Sequence, residues 1–164
     1  MANYVATNGS SASAGTQFSI GTTYVGAVLS VGCSTANGAA TTFRRGKVYD
    51  LLVGTNGTPS DNPVEWDISR VSVLSTATFI TPQPLDPADA AAVSLTIANS
   101  TTMGTIALQN TWYVGVNARA SYRWVAAPGS EIVWPATSSA GLNLRARSPG
   151  YASTVTGSWM WQEQ

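Results

Sequence analysis

The sequence predicts an all-β fold: an antiparallel β-sandwich, jelly-roll-like, with about eight strands and one short helical turn near residues 86–92. Three observations lead there. Thr, Val, Ile, Tyr, Trp and Phe supply 56 of the 164 residues, and these side chains suit a pleated, half-buried surface. Strong helix formers other than Ala are scarce, with nine Leu, three Glu and one Lys. Short apolar runs recur between Gly-, Pro- and Asn-containing turns, as in sandwiches and barrels.

Taken in order, the chain reads as an uncharged, flexible N-terminal arm over residues 1–17 and a single β-sandwich domain over 18–164. No charged side chain precedes Arg44, and Thr7 to Thr16 is rich in Ser, Gly and Ala, the composition of a mobile lead-in. Strand signals begin at Phe18 to Ile20 and resume over Tyr24 to Val31. A loop of small residues surrounds Asn37-Gly38, and Lys47 to Val53 reads as the next strand. Asn56-Gly57, Pro59 and Pro63 then mark a turn-rich connection.

From Val64 to Ile68 the pattern alternates, with Val64, Trp66 and Ile68 on one face. The phase slips at Ser69-Arg70, because Val71 and Val73 fall on odd positions; a β-bulge or bend produces such a slip. Thr81-Pro82-Gln83-Pro84-Leu85 cannot be a central strand. In Asp86-Pro87-Ala88-Asp89-Ala90-Ala91-Ala92, Asp86 is placed as an N-cap and Pro87 as the first helical residue. Trp112 to Val125 alternates throughout and is either one long strand or two joined by a tight bend. Glu131 to Trp134, Leu142 to Arg147 and Tyr151 to Trp161 complete the set.

Charge and composition exclude several functions. Eight basic residues balance eight acidic ones, so no basic excess exists to neutralise nucleic-acid phosphates. With no His and a single Cys, Cys33, a His-based triad, a zinc ribbon and a disulfide framework are ruled out. No apolar run approaches the roughly 18 residues of a membrane span, and Met1-Ala2-Asn3-Tyr4-Val5 carries no secretory signal. An unpaired Cys fits synthesis in a reducing compartment. The Asn8, Asn56 and Asn99 sequons are read as turn chemistry.

Candidate sites are few. Asp61, Glu65 and Asp67 fall within seven residues, a pattern open to a Ca²⁺ site or a glycosidase carboxylate pair. The spacing lacks the Gly-interrupted metal loop, and neighbouring positions on one strand do not make opposing walls of a cleft. Cys33 has no His to activate it. No catalytic residue, metal or cofactor is therefore expected, and the protein is not read as an enzyme. Trp66, Trp112, Tyr122 and Trp124 lie on the apolar phase of their strands and are assigned to the core. Trp159 and Trp161, close to the C-terminus, are candidate interface anchors.

The charge map adds an interaction clue. From Asp50 to Asp89 there are six acids and one base; from Arg119 to Arg147 there are four Arg and one acid. Arg119, Arg123 and Arg145 on one side, with Asp61, Glu65 and Asp67 on the other, are candidate interface residues. Opposite lobes can steer subunits into a head-to-tail ring; pairing within one chain explains them equally well.

Three stretches carry a family resemblance: Tyr49-Asp50-Leu51-Leu52-Val53-Gly54 running into Thr58-Pro59-Ser60-Asp61-Asn62-Pro63-Val64-Glu65-Trp66; Thr81-Pro82-Gln83-Pro84-Leu85-Asp86-Pro87-Ala88-Asp89-Ala90-Ala91; and Arg123-Trp124-Val125-Ala126-Ala127-Pro128-Gly129-Ser130-Glu131-Ile132-Val133. In this order, across roughly residues 43–147, the chain resembles small virion structural proteins of tailed phages and environmental viral genomes. The resemblance implies a capsid decoration or cement protein, a homotrimer on the phage head surface whose partner is the major capsid protein, made in the host bacterial cytoplasm. It brings no catalytic residues. The alternative is a receptor- or glycan-binding module of a tail fibre or spike that uses exposed Trp and Tyr. A small glycan-cleaving enzyme ranks behind both.

Overall fold

The computed structural model describes residues 1–9, 17–33 and 42–164, with the side chain of Thr78 left out. Among them are thirteen strands and no helix: β1 (Asn3–Thr7), β2 (Phe18–Ile20), β3 (Ala27–Gly32), β4 (Gly46–Asn56), β5 (Pro63–Val73), β6 (Thr78–Ile80), β7 (Gln83–Pro84), β8 (Leu95–Ser100), β9 (Thr105–Asn117), β10 (Tyr122–Val125), β11 (Ile132–Trp134), β12 (Gly141–Arg147) and β13 (Ser153–Glu163). They build two open sheets. The first has the order β10-β4-β13-β1-β7, with β11 added to β4 and β2 to β13; the second has the order β6-β8-β3-β12-β5-β9. All pairings are antiparallel.

This architecture corrects the expected eight-stranded, jelly-roll-like sandwich with a helical turn. Strands β1, β6, β7 and β8 escape a periodicity search because they are short or, like Leu-Thr-Ile-Ala-Asn-Ser of β8, lack clean alternation. The run from Trp112 to Val125 is two strands in different sheets. They are separated at residues 118–121, where Ala118 N donates to Asn62 O at 2.8 Å and Ala120 N to Asn117 O at 2.9 Å.

At residues 86–92 the capping chemistry is present without the helix. Asp86 Oδ1 accepts Ala88 N at 2.9 Å and Asp89 N donates to Asp86 O at 3.0 Å. That single turn has mostly exposed side chains, so no apolar face supports propagation, and an isolated turn is unfavourable to nucleate. The chain is tied down instead. Tyr4 Oη donates to Ala90 O at 2.9 Å, and the buried Glu163 carboxylate accepts Val93 N at 3.1 Å and Ser94 N at 2.8 Å.

The two sheets share one core, in which Trp66, Trp134, Trp159, Trp161, Tyr4, Leu29, Leu51 and Leu144 are all below 2% exposed. Part of the segment expected as an arm belongs to this core. β1 lies between β13 and β7, with Tyr4 and Ala6 buried; residues 10–16 lie outside the described residues, as does the loop expected around Asn37-Gly38.

The phase slip in β5 also has a physical origin. Its register with β12 runs unbroken from Glu65 to Val71, so Ser69 and Val71 share the face opposite Trp66 and Ile68. There Val71 joins Leu74, Leu95 and Ile97 in a second, smaller apolar cluster. The register shift falls on the other side of β5, against β9, between Ile68 and Arg70.

Candidate interaction surface

The two charge lobes meet inside the chain. β12 runs beside β5 with Arg145 opposite Asp67 and Arg147 opposite Glu65, and β10 runs beside β4 so that Arg123 reaches Asp50. Arg123 grips the Asp50 carboxylate with two parallel bonds, Nε to Oδ1 at 3.0 Å and Nη2 to Oδ2 at 2.5 Å. Arg147 Nε donates to Glu65 Oε2 at 2.6 Å, and Arg119 Nε lies 2.9 Å from Asp61 Oδ1. All four arginines of the basic lobe are thus paired with acids of the other lobe.

The most enclosed of these pairs is Asp67–Arg145, at 0% and 3% exposure. Arg145 donates to Asp67 Oδ2 through Nε at 2.6 Å and also through Nη2. Ser69 Oγ donates to the same oxygen at 2.6 Å, and Asn110 N donates to Oδ1 at 2.9 Å. The Tyr24 ring covers the group, with its centroid 4.4 Å from the Arg145 guanidinium and 5.1 Å from that of Arg147, a cation–π arrangement. Burial first, and then the Asp67 charge, push the Tyr24 phenol up to about 12, so it remains protonated at neutral pH.

These positions change the meaning of the predicted site residues. Asp61, Glu65 and Asp67 each hold a different arginine, and no group of three His, Cys, Asp or Glu converges among the described residues. Asp67 and Arg145 are inside the subunit and cannot touch a partner without local unfolding. Trp159 and Trp161, expected at an interface, are both 0% exposed. They alternate on the inner face of β13, where Trp161 lies 5.9 Å from the Tyr4 ring and 6.5 Å from Trp134. Cys33 is buried, its thiol donating to Arg44 O, and burial raises its pKa. Arg119 and Arg123 remain at the surface, with side chains 62% and 63% exposed.

The surface these assignments leave open is one flank of the molecule. β9 ends the second sheet and β10 ends the first. Trp112 of β9 reaches across to Tyr122 and Trp124 of β10, with ring centroids 6.1 and 6.2 Å apart. All three rings were expected in the core; they are half-buried and close its open side. Elsewhere on the same two strands Leu108, Tyr113 and Val125 are 52%, 51% and 59% exposed.

β9 itself, Thr-Ile-Ala-Leu-Gln-Asn-Thr-Trp-Tyr-Val-Gly-Val-Asn, has thirteen residues with no charge and no proline. Folded proteins usually blunt an edge of that length with Lys, Pro or a short strand. The missing charge was legible in the sequence; that this strand ends a sheet was not. A second exposed apolar feature, a groove of about 420 Å³ lined by Val73, Leu74, Phe79, Leu95 and Ile97, lies beside β6. No protein-family model, curated protein or solved structure matches this chain.

Proposed function

We propose that the chain is a structural subunit of a phage virion, a decoration or cement protein that binds the head exterior as an oligomer and stabilises it. The observation that carries this reading is the β9–β10 flank: an uncharged edge strand beside three half-buried aromatic rings, bordered by ion pairs satisfied within the chain. An apolar, aromatic centre with a polar rim is the anatomy of a protein-binding surface. On a repeating particle such contacts multiply, because one attached subunit raises the effective concentration of the next. The resemblance across residues 43–147 supplies the setting, with the major capsid protein as partner.

A receptor- or glycan-binding module of a tail fibre or spike is the second reading. It is favoured by one feature, the exposed ring of Tyr113, since sugar rings stack on aromatic faces. Quantitative mass spectrometry of virions from a phage encoding this chain separates the two. A copy number of the same order as the major capsid protein supports decoration. A trace amount moves the protein to a fibre and makes a glycan array the next experiment; absence from the particle overturns the virion reading.

A further inference from the structure

Among the described residues, every other strand that ends a sheet is short. β6 has three residues, β7 two and β10 four, and the added strands β2 and β11 have three each. β9 has thirteen. A head-to-tail contact between β9 and any of these would pair at most four of its residues, fewer than the six of its unbroken stretch Trp112–Asn117. Among the described residues one sheet edge offers a stretch of that length, and that is β9 on another copy.

We propose that β9 is a self-pairing edge: two copies join antiparallel about a two-fold axis through Trp112–Asn117, making one continuous sheet from two. This inference rests on the reading of the chain as an assembling subunit and names the occupant of its flank.

Charge supports a second copy. A strand placed antiparallel against itself brings its own residues opposite one another, and like charges in such positions are destabilising. β9 has none, and the nearby ion pairs Glu65–Arg147, directly opposite Gly115, Arg119–Asp61 and Arg123–Asp50 are already neutral. Geometry selects the C-terminal half of the strand. From Trp112 to Asn117 its register with β5 is unbroken, whereas shifts interrupt it towards Thr105. Asn110, at the break, has φ 52° and gives its main-chain N–H to Asp67.

In the unbroken half, Trp112, Val114 and Val116 face the core side half-buried, and Tyr113, Gly115 and Asn117 face out. Outward-facing N–H and C=O groups of alternate residues are the template for the next strand. The self-contact is isologous, so it assigns a two-fold pair in place of the trimer implied by the resemblance.

Gly115 provides the test, because a Cβ built there meets no atom within 4 Å; it lies opposite Glu65, which Arg147 already holds, so a thermal melt of each variant accompanies the test to show that the subunit folds. Sedimentation of the full chain at micromolar to millimolar concentration should show a dimer. Gly115→Lys and Gly115→Glu, each alone, should weaken it by about tenfold or more, since the axis brings the two like charges close together. Mixing the Lys and Glu variants should restore a heterodimer, which misfolded chains would not do. In the wild type, hydrogen exchange should slow at 112–117 as concentration rises.

A wild type that stays monomeric, or a dimer indifferent to charge at 115, overturns the pairing. So does protection of 112–117 that appears only on particles, which would assign the edge to a foreign strand. The functional reading fails separately: a charge-sensitive dimer that is absent from virions leaves the pairing intact and removes the decoration role.

Discussion

Arg145 and Asp67 make the contact least tolerant of change. Withdrawing two charges from water is costly, and their attraction compensates only when the remaining hydrogen-bonding capacity is used. Here it is used, by Ser69 Oγ, by Asn110 N and by the Tyr24 ring. Removing one partner strands the other. Arg145→Met should therefore cost about 3–5 kcal/mol, roughly 10 °C of melting temperature in a domain of this size. Asp67→Leu combined with Arg145→Met should recover most of that loss, because an apolar pair of similar volume needs no counter-charge. Thermal melts of the single and double variants decide; a single variant that melts like the wild type would mean the pair is solvated. Asn8 holds a comparable post. Read from the sequence as a turn sequon, it is 2% exposed. Its Nδ2 donates to Asn99 Oδ1 at 2.9 Å and its Oδ1 accepts Gly157 N at 2.8 Å, which ties β8 of one sheet to β13 of the other.

β1 is the element whose role differs most from expectation. Five residues of modest hydrophobicity bring Tyr4 into the core against Trp161 and satisfy the edge of β13 from Gln162 to Ser158. Loss of a buried aromatic costs about 3–5 kcal/mol, and an unpaired β13 edge adds to the cost. Deleting residues 1–9 should consequently lower the melting temperature by roughly 10 °C or more, or yield insoluble protein. Circular dichroism melts of the truncated chain check this, and a shift of only a few degrees would show β1 to be peripheral. A truncation cannot serve as a clean probe of particle attachment, because it removes core and surface together.

Taken together, the chain keeps its charges to itself. Six ion pairs join its own acids to its own bases among the described residues, and the formal net charge is zero. Little long-range field remains to steer subunits, so association has to rest on main-chain and apolar contact. Self-association should change by less than about threefold between roughly 0.05 and 0.5 M salt, over which screening removes exposed ionic attraction. A sedimentation series measures it. Marked weakening at high salt would restore the charge-steered ring.

The all-β class and several central strands were legible because alternation and β-branched content are local properties of one strand. β3, β4, β5, β12 and β13 all lie where apolar runs announced them. The opposite signs of the charge lobes were legible too, but not that Arg145 would face Asp67 across a strand pair. Nor does sequence tell a buried Trp159 from an exposed one, since both satisfy the same period of two. Strand order, register and the identity of the open edge depend on partners far along the chain, as with Asn8 and Gly157, 149 positions apart. Those contacts form only when the sheets assemble. They paired the charged lobes within the chain and, among the described residues, left β9 with one side unpaired.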